Sequence, residues 1–117
     1  MAHELGIEPA RVFKTLVASV DGGFGVFVVP SERKLDLRTV GKGAELADRR
    51  AAERVTGYVA GGISPLGQRK RLPTFVDASA LDYDTILVSA GRRGLQLELD
   101  PRELVRLTGA GLRPLAG

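Results

Sequence analysis

The sequence contains no cysteine and only one histidine, His3. A chain without cysteine has no disulfide framework, no thiolate nucleophile and no cysteine-ligated metal. One imidazole does not make a zinc site by itself. A Ser-His-Asp triad would depend on His3, which nothing in the sequence places near a serine. The chain therefore lacks a nucleophile and base of the usual kind.

Aromatic residues and long apolar runs are also scarce. Phe, Trp and Tyr make up 5% of the chain, too few for a nucleic-acid platform built on many stacked bases. No apolar run reaches the length of a membrane span, and the start lacks the apolar core of a signal peptide. We therefore expect a cytoplasmic protein without a membrane partner. The 117 residues suit a single domain with one core, over residues 1–117.

The formal net charge is +3, and the basic residues are clustered. Arg69-Lys70-Arg71 and Arg92-Arg93 form two short cationic runs, which favour an anionic partner more than the total charge does.

One stretch, Thr56–Pro73, combines a glycine pair, a serine, a proline, a further glycine and the first basic run. Glycine lets a backbone approach a ligand closely, and proline gives the loop a set shape. Exposed amides beside a cationic edge suit a phosphate-bearing ligand. The alternative interpretation is a tight connection between strands with solvated basic residues. Residue chemistry leaves both open.

Periodicity and turn residues predict an α+β domain with a curved or barrel-like sheet flanked by helices. The predicted strands are Arg11–Val20, Phe24–Val29, Tyr58–Ala60, Thr74–Val76, Thr85–Ala90 and a half-buried Leu95–Leu99. The predicted helices are a tail at Ala2–Gly6, a weak one at Leu35–Ala44, one from the N-cap Asp48 to Gly57, and one from Asp100 to about Thr108. Asp21-Gly22-Gly23 predicts a hairpin turn.

The first long strand carries a lysine among apolar residues. Lys14 shares its alternate positions with Val12, Leu16, Ala18 and Val20, so this face is apolar apart from the lysine. Such a lysine is costly unless it snorkels, finds a partner or lines a cavity. It is either a strand-end lysine that reaches solvent or a cation aimed into a pocket.

A series of segments resembles a known family. In order, they are Leu5-Gly6-Ile7, Val12–Val17, Leu35-Asp36-Leu37, Thr56–Val59, Gly61–Gln68, Arg71–Thr74, Val88-Ser89 and Gly91–Leu95. They strongly resemble the YbaK/EbsC family of aminoacyl-tRNA deacylases, related to the editing domain of bacterial prolyl-tRNA synthetases, over nearly the whole chain. The resemblance implies a mixed barrel, hydrolysis of a mischarged amino acid from tRNA (commonly tRNA-Pro carrying cysteine or alanine) and no metal or organic cofactor.

The resemblance also implies roles for individual residues. Lys14 matches the family's functional lysine, and Gly61 opens a G-x-x-x-P loop that ends at Pro65; we predict both Lys14 and Gly61 to be catalytic. Asp77 and Ser89 match positions that line the pocket. The other predicted substrate-binding residues are Thr15, Tyr58, Gly62, Ile63, Ser64, Pro65 and Gly91. The residues predicted to meet acceptor-stem phosphates are Arg69, Lys70, Arg71, Arg92 and Arg93.

These residues support a substrate-assisted reaction, in which a ribose hydroxyl of the terminal adenosine, or the thiol of a misattached cysteine, replaces a protein base. The expected partners are the aminoacyl-tRNA acceptor end and prolyl-tRNA synthetase. Relatives usually carry a longer segment before Leu5 that helps to close the pocket. A non-catalytic tRNA-binding or synthetase-binding module of the same fold is therefore an alternative, and a fragment that serves only as a folding unit is another.

Overall fold

The computed structural model describes residues 9–68 and 72–117. Within them the strands are β1 (Phe13–Val20), β2 (Gly23–Pro30), β3 (Glu45–Leu46), β4 (Thr74–Asp77), β5 (Ile86–Ser89), β6 (Gln96–Leu99) and β7 (Gly111–Arg113). The α-helices are α1 (Arg49–Thr56) and α2 (Pro101–Thr108), and shorter 3₁₀ helices cover Pro9–Arg11, Leu37–Thr39 and Ala78–Asp82. The predicted helix tail at Ala2–Gly6 lies outside the described residues.

The strands form two sheets, with the orders β3-β1-β2-β4-β7 and β5-β6. β1 and β2 make an antiparallel hairpin, and Asp21 and Gly22 at its turn have φ values of 53° and 78°. Two successive positive φ values are those of a type I′ turn, so the predicted hairpin is confirmed. β4 runs parallel to both β2 and β7. A single parallel bridge, from Val12 to Leu87, attaches β5 to the start of β1.

The α+β class is therefore confirmed, but the described strands do not close into the predicted barrel. On one side, β1 is flanked by β3 and, through the bridge at Val12, by β5; on the other side follow β2, β4 and β7. No pairing among the described residues joins β6 to β7. The result is a mixed, open arrangement of strands with the two helices beside it.

Both α-helices begin and end where their capping residues predict. The side chains of Asp48 and Asp100 each accept a backbone N–H from the first helical turn. Gly57 and Gly109 end the two helices with φ values of 81° and 69°, in the left-handed region that glycine adopts readily. The boundaries of both helices are thus set by local chemistry.

β1 is buried on both faces. On one face, Phe13 and Val17 pack into clusters with β5 and α1, and on the other Ala18 packs with Leu35 and Leu115. The face of β1 that carries Lys14 is therefore one of two faces that pack against other elements. The opposite face is the more deeply buried, because α1 and β5 cover it.

Three local predictions are wrong. Tyr58–Ala60 forms a bend and a turn instead of a strand. Leu35–Ala44 contains only the short 3₁₀ helix, because Gly43 takes a φ of 75° that an α-helix does not allow. β6 forms at the predicted place but is exposed, and Leu97 is 41% accessible. No helix in residues 9–68 and 72–117 is long and apolar enough to cross a membrane.

Candidate active site

The glycine loop begins with a tight turn. The Gly62 amide donates a hydrogen bond to the Val59 carbonyl at 3.0 Å, which closes a four-residue turn with Ala60 and Gly61 at its centre. Gly61 has a φ of +86°, the value that a type II turn requires at its third position. The predicted G-x-x-x-P loop therefore starts from a backbone conformation that favours glycine.

The loop packs directly on the connection between β5 and β6. A Cβ atom on Gly62 would lie 2.7 Å from the carbonyl carbon of Arg92 and 2.9 Å from the backbone nitrogen of Arg93. Real Cβ atoms essentially never approach other atoms so closely. The two predicted loops, which are far apart in the sequence, thus meet backbone to backbone at a residue that has no side chain.

Tyr58 joins the same two loops through its side chain. Its hydroxyl donates a hydrogen bond to the Leu66 carbonyl at 2.5 Å. A Cβ on Gly91 would lie 3.1 Å from its ring, so the ring also rests against the connection after β5. The contact of Tyr58 with substrate stays a prediction, while its observed contacts fix the two loops relative to each other.

The interior of the glycine loop is held by its own hydrogen bonds. Ser64 is 4% exposed, and its hydroxyl oxygen accepts the Leu66 N–H at 3.2 Å. The Ser64 carbonyl accepts a hydrogen bond from the Gln68 side-chain amide at 2.9 Å. Ile63 is buried against Val17 of β1, and Pro65 is also buried. Most of the predicted binding residues of this loop are therefore buried and shape it.

Lys14 and Thr15 lie where one edge of β1 is open. β1 contacts β5 at Val12 and pairs with β3 at Ala18, and no described strand pairs with that edge between these points. Thr15 is 7% exposed, and its hydroxyl finds no hydrogen-bond partner among the described residues. A buried hydroxyl without a partner costs about 1–3 kcal/mol. Among the described residues, the Thr15 hydroxyl therefore has unused hydrogen-bonding capacity beside this edge.

Lys14 is half-buried and lies opposite Val29 of β2. Because side chains alternate along a strand, Lys14 points to the face opposite that of Val17, against which Ile63 packs. The lysine and the glycine loop thus start from different faces of β1. A shared reaction centre for the two predicted catalytic residues, Lys14 and Gly61, would require the lysine stem to reach around the open edge.

Asp77 has its carboxylate fully occupied within the protein. It is 4% exposed and accepts the backbone N–H groups of Leu115 and Ala116 at 2.7 and 2.9 Å, together with the backbone N–H and the hydroxyl of Ser79. Burial raises the pKa of Asp77, but these hydrogen bonds together outweigh it and leave the pKa below its usual range. Four donors fill a carboxylate. The geometry therefore makes Asp77 an anchor for the C-terminal segment and gives no support to its predicted contact with substrate.

The remaining predicted residues lie around the connection after β5. Ser89 is the last residue of β5 and is half-buried, two residues before Gly91. Arg92 and Arg93 are exposed, but the Arg93 guanidinium donates through Nε to the Ala60 carbonyl at 2.8 Å. Arg93 is therefore at least partly occupied within the protein. The predicted phosphate-binding run Arg69-Lys70-Arg71 lies outside the described residues.

Glu53 is absent from the sequence-based predictions but contacts the site. Its Oε2 atom accepts the Ala60 N–H at 2.7 Å, and this hydrogen bond is the main cause that lowers the pKa of Glu53. One signal in the sequence points to it, a carboxylate in the last turn of a helix that Gly57 ends just before the loop. No group of three or more His, Cys, Asp or Glu that could hold a metal occurs in the described part of the chain.

Comparison with known proteins identifies the family. The aminoacyl-tRNA editing domain family matches residues 1–107. EbsC of Enterococcus faecalis, a provisionally assigned Cys-tRNA(Pro)/Cys-tRNA(Cys) deacylase, is 42% identical over 115 residues, which cover 92% of this chain and 70% of that protein.

Solved structures share the fold over nearly the whole chain. The crystal structure of a candidate trans-editing enzyme for prolyl-tRNA synthetase superposes with a TM-score of 0.88 at 31% identity, over 99% of this chain and 76% of the other. The hypothetical protein APE2540 superposes with a TM-score of 0.90 at 30% identity, over 99% and 81% of the two chains.

The fold and these matches define the class of protein, an aminoacyl-tRNA deacylase built on an α+β editing domain. The chain belongs to the aminoacyl-tRNA editing domain family, and EbsC is among its relatives. The resemblance to the YbaK/EbsC family is therefore confirmed, and the substrate class is an aminoacyl-tRNA.

Proposed function

We propose that this protein is a trans-editing hydrolase that acts on mischarged tRNA-Pro, with Cys-tRNA(Pro) and Ala-tRNA(Pro) as its candidate substrates. The observation that carries the proposal is the close packing of Gly62 on the backbone of Arg92, which brings the glycine loop and the connection after β5 together. The name of the Enterococcus faecalis relative, which specifies Cys-tRNA(Pro) and Cys-tRNA(Cys), favours cysteine as the amino acid removed.

The proposed reaction needs positioning more than a strong base, because an aminoacyl ester is already activated. One water molecule attacks the ester carbonyl, the bond between the carbonyl carbon and the ribose oxygen breaks, and the amino acid and a free tRNA hydroxyl leave. The neighbouring ribose hydroxyl, or the thiol of a misattached cysteine, takes the proton of the attacking water and passes it to the leaving oxygen. Orientation and preorganised hydrogen-bond donors can supply many kcal/mol to such a step.

We assign the roles of the protein groups as follows. The backbone N–H of Gly61 binds the aminoacyl carbonyl oxygen and stabilises the charge that develops on it. Thr15, whose hydroxyl has no hydrogen-bond partner within residues 9–68 and 72–117, offers it to the aminoacyl or ribose end of the substrate. Lys14 binds the terminal phosphate or the ribose, or polarises the ester. Ser89 lines the pocket, and Arg92 meets phosphates of the acceptor stem.

Purified protein incubated with Cys-, Ala- and Pro-tRNA(Pro) tests this proposal. We expect loss of the ester above the rate in buffer for at least one of the two mischarged tRNAs, and slower loss for Pro-tRNA(Pro). Binding that weakens with salt but leaves every ester intact would replace the proposal with the tRNA-binding module. Equal hydrolysis of all three esters would contradict an editing role.

We further propose that prolyl-tRNA synthetase is a cytoplasmic partner that delivers the substrate. The support is the solved relative described as a trans-editing enzyme for that synthetase. Adding the synthetase should raise the rate of deacylation at limiting tRNA if the two proteins cooperate. A rate that does not change at any synthetase concentration would remove the partner from the proposal.

A further inference from the structure

The peptide groups on both sides of Ala60 are held by side chains of opposite charge. The Ala60 N–H donates to the Glu53 carboxylate at 2.7 Å, and the Ala60 carbonyl accepts from Nε of Arg93 at 2.8 Å. Glu53 belongs to α1, whereas Arg93 follows β5. The first central residue of the glycine turn is therefore fixed from two separate elements of the fold.

Both contacts are charge-assisted, and such hydrogen bonds are about twice as strong as neutral ones. The Glu53 side chain is 30% exposed and lies 3.5 Å from Arg49, one turn earlier on α1. A Cβ on Gly61 would lie 3.2 Å from Cγ of Arg93, so the arginine stem runs directly along the turn. Glu53 and Arg93, together the Ala60 clamp, thus hold the turn by hydrogen bonds, and the stem of Arg93 also packs against it.

The Ala60 carbonyl decides which way the turn presents its central amide. Type I and type II turns differ mainly by a flip of their central peptide, which here joins Ala60 to Gly61. The carbonyl and the N–H of a peptide point in opposite directions. A hydrogen bond that holds the Ala60 carbonyl toward Arg93 therefore holds the Gly61 N–H on the other side.

We propose that Glu53 and Arg93 are positioning residues: Arg93 holds the Ala60–Gly61 peptide and Glu53 holds the Val59–Ala60 peptide before it, so that the Gly61 N–H is presented to the ester carbonyl. The proposal rests on the function proposed above, in which that N–H meets the substrate. It gives Arg93 a role distinct from phosphate binding. Glu53 acts through the Ala60 N–H without touching the substrate.

Steady-state kinetics separate positioning from phosphate binding. Arg93→Ala should lower kcat about tenfold with a small change in KM, because losing a charge-assisted bond frees the peptide to flip. Arg92→Ala removes the same charge from the same connection and should instead raise KM, with a weaker dependence on salt. If both variants change only KM and the salt dependence, Arg93 is a phosphate ligand and the proposal fails.

Glu53 has a matched control on the other helix. Glu53→Ala should lower kcat about as much as Arg93→Ala, because it frees the other side of the same residue. Glu103→Ala loses an ion pair with Arg106 on α2 and should keep the kcat of the parent protein. Glu53→Gln, which keeps an acceptor oxygen, should recover part of the lost kcat. Equal kcat in the Glu53→Ala and Glu103→Ala variants would overturn the proposal.

Amide hydrogen exchange tests the clamp without any tRNA. Glu53→Ala should speed exchange at the Ala60 N–H about tenfold or more, while amides in the centre of β2 keep their protection. Faster exchange together with an inactive parent protein would show that the clamp exists and that the proposed function is wrong. Unchanged exchange at Ala60 in the Glu53→Ala variant would refute the clamp, whatever the activity.

Discussion

The sharpest prediction concerns Gly62, where the two loops touch. Gly62→Ala places a Cβ 2.7 Å from the Arg92 carbonyl carbon, whereas ordinary contacts begin near 3.4 Å, so the two backbones must separate by about 0.7 Å. Gly62 is buried, and its φ lies outside the left-handed region, so the cost is steric and does not come from backbone strain. Overpacking of this kind costs about 1–3 kcal/mol.

Two measurements follow from this displacement. The midpoint of thermal unfolding should fall by roughly 4–12 °C, since 1 kcal/mol corresponds to about 4 °C in a domain of this size. The value of kcat should fall about tenfold to a hundredfold, because a shift near 1 Å in a positioning element can cost two orders of magnitude. Thermal unfolding followed by circular dichroism, and single-turnover deacylation, measure the two effects.

Gly23 provides the matched control. A Cβ there would lie 3.9 Å from its nearest neighbour, the Val20 carbonyl, and its φ is also outside the left-handed region. Gly23→Ala should therefore be neutral or stabilise the protein by a few tenths to 1 kcal/mol, through the unfolded chain. An unchanged unfolding midpoint and kcat in Gly62→Ala would show that the two loops are not tightly packed at this point and that their contact does not affect catalysis.

Three further predictions concern other parts of the site. Tyr58→Phe removes the hydrogen bond to the Leu66 carbonyl but keeps the ring. It should lower kcat, while the free energy of unfolding falls by only about 1 kcal/mol. A change confined to KM would instead indicate that the hydroxyl contacts the substrate. Asp77→Ala leaves the Leu115 backbone N–H without its acceptor and should lower the free energy of unfolding, measured in urea, by about 1–3 kcal/mol. Because the pKa of Asp77 is lowered from 3.8 in the folded protein, the stabilisation by its carboxylate is present above pH 3.8 and is lost as the pH falls through the folded pKa. A difference in stability between the variant and the parent protein that persists at lower pH would contradict this role. Lys14→Met keeps the apolar stem and should abolish deacylation with the fold intact; full turnover would remove the ammonium group from the mechanism.

The features that could be predicted from the sequence are those whose causes are local. Asp21-Gly22 demands a turn with two positive φ values, and Asp48 and Gly57 cap α1 with groups that lie within one helical turn of their partners. The same holds for Asp100 and Gly109 at the ends of α2. In each case the deciding contact spans only a few residues, so the order of the residues is enough.

The features that could not be predicted depend on partners far along the chain. Asp77 looks like a free carboxylate in the sequence, yet one of its oxygens accepts backbone N–H groups 38 and 39 residues later, at Leu115 and Ala116. Lys14 stands out on its strand only if one face is buried, and the clusters around Val17 and Ala18 bury both. Periodicity reports which positions alternate, but it does not report what covers each face.

Gly62 shows how the two kinds of information combine. The glycine pair was predicted to serve a ligand, and the structure gives the second glycine a different requirement, a neighbouring backbone at Arg92. An enzyme without cysteine and without a paired histidine has few side chains to offer a reacting ester, so its main-chain groups must do more. Those groups are useful only if they are rigid, since a peptide that flips offers a carbonyl as often as an N–H. The hydrogen bonds at Ala60 and the absence of a side chain at Gly62 therefore answer one physical need, which is to hold a single turn of backbone in a single orientation.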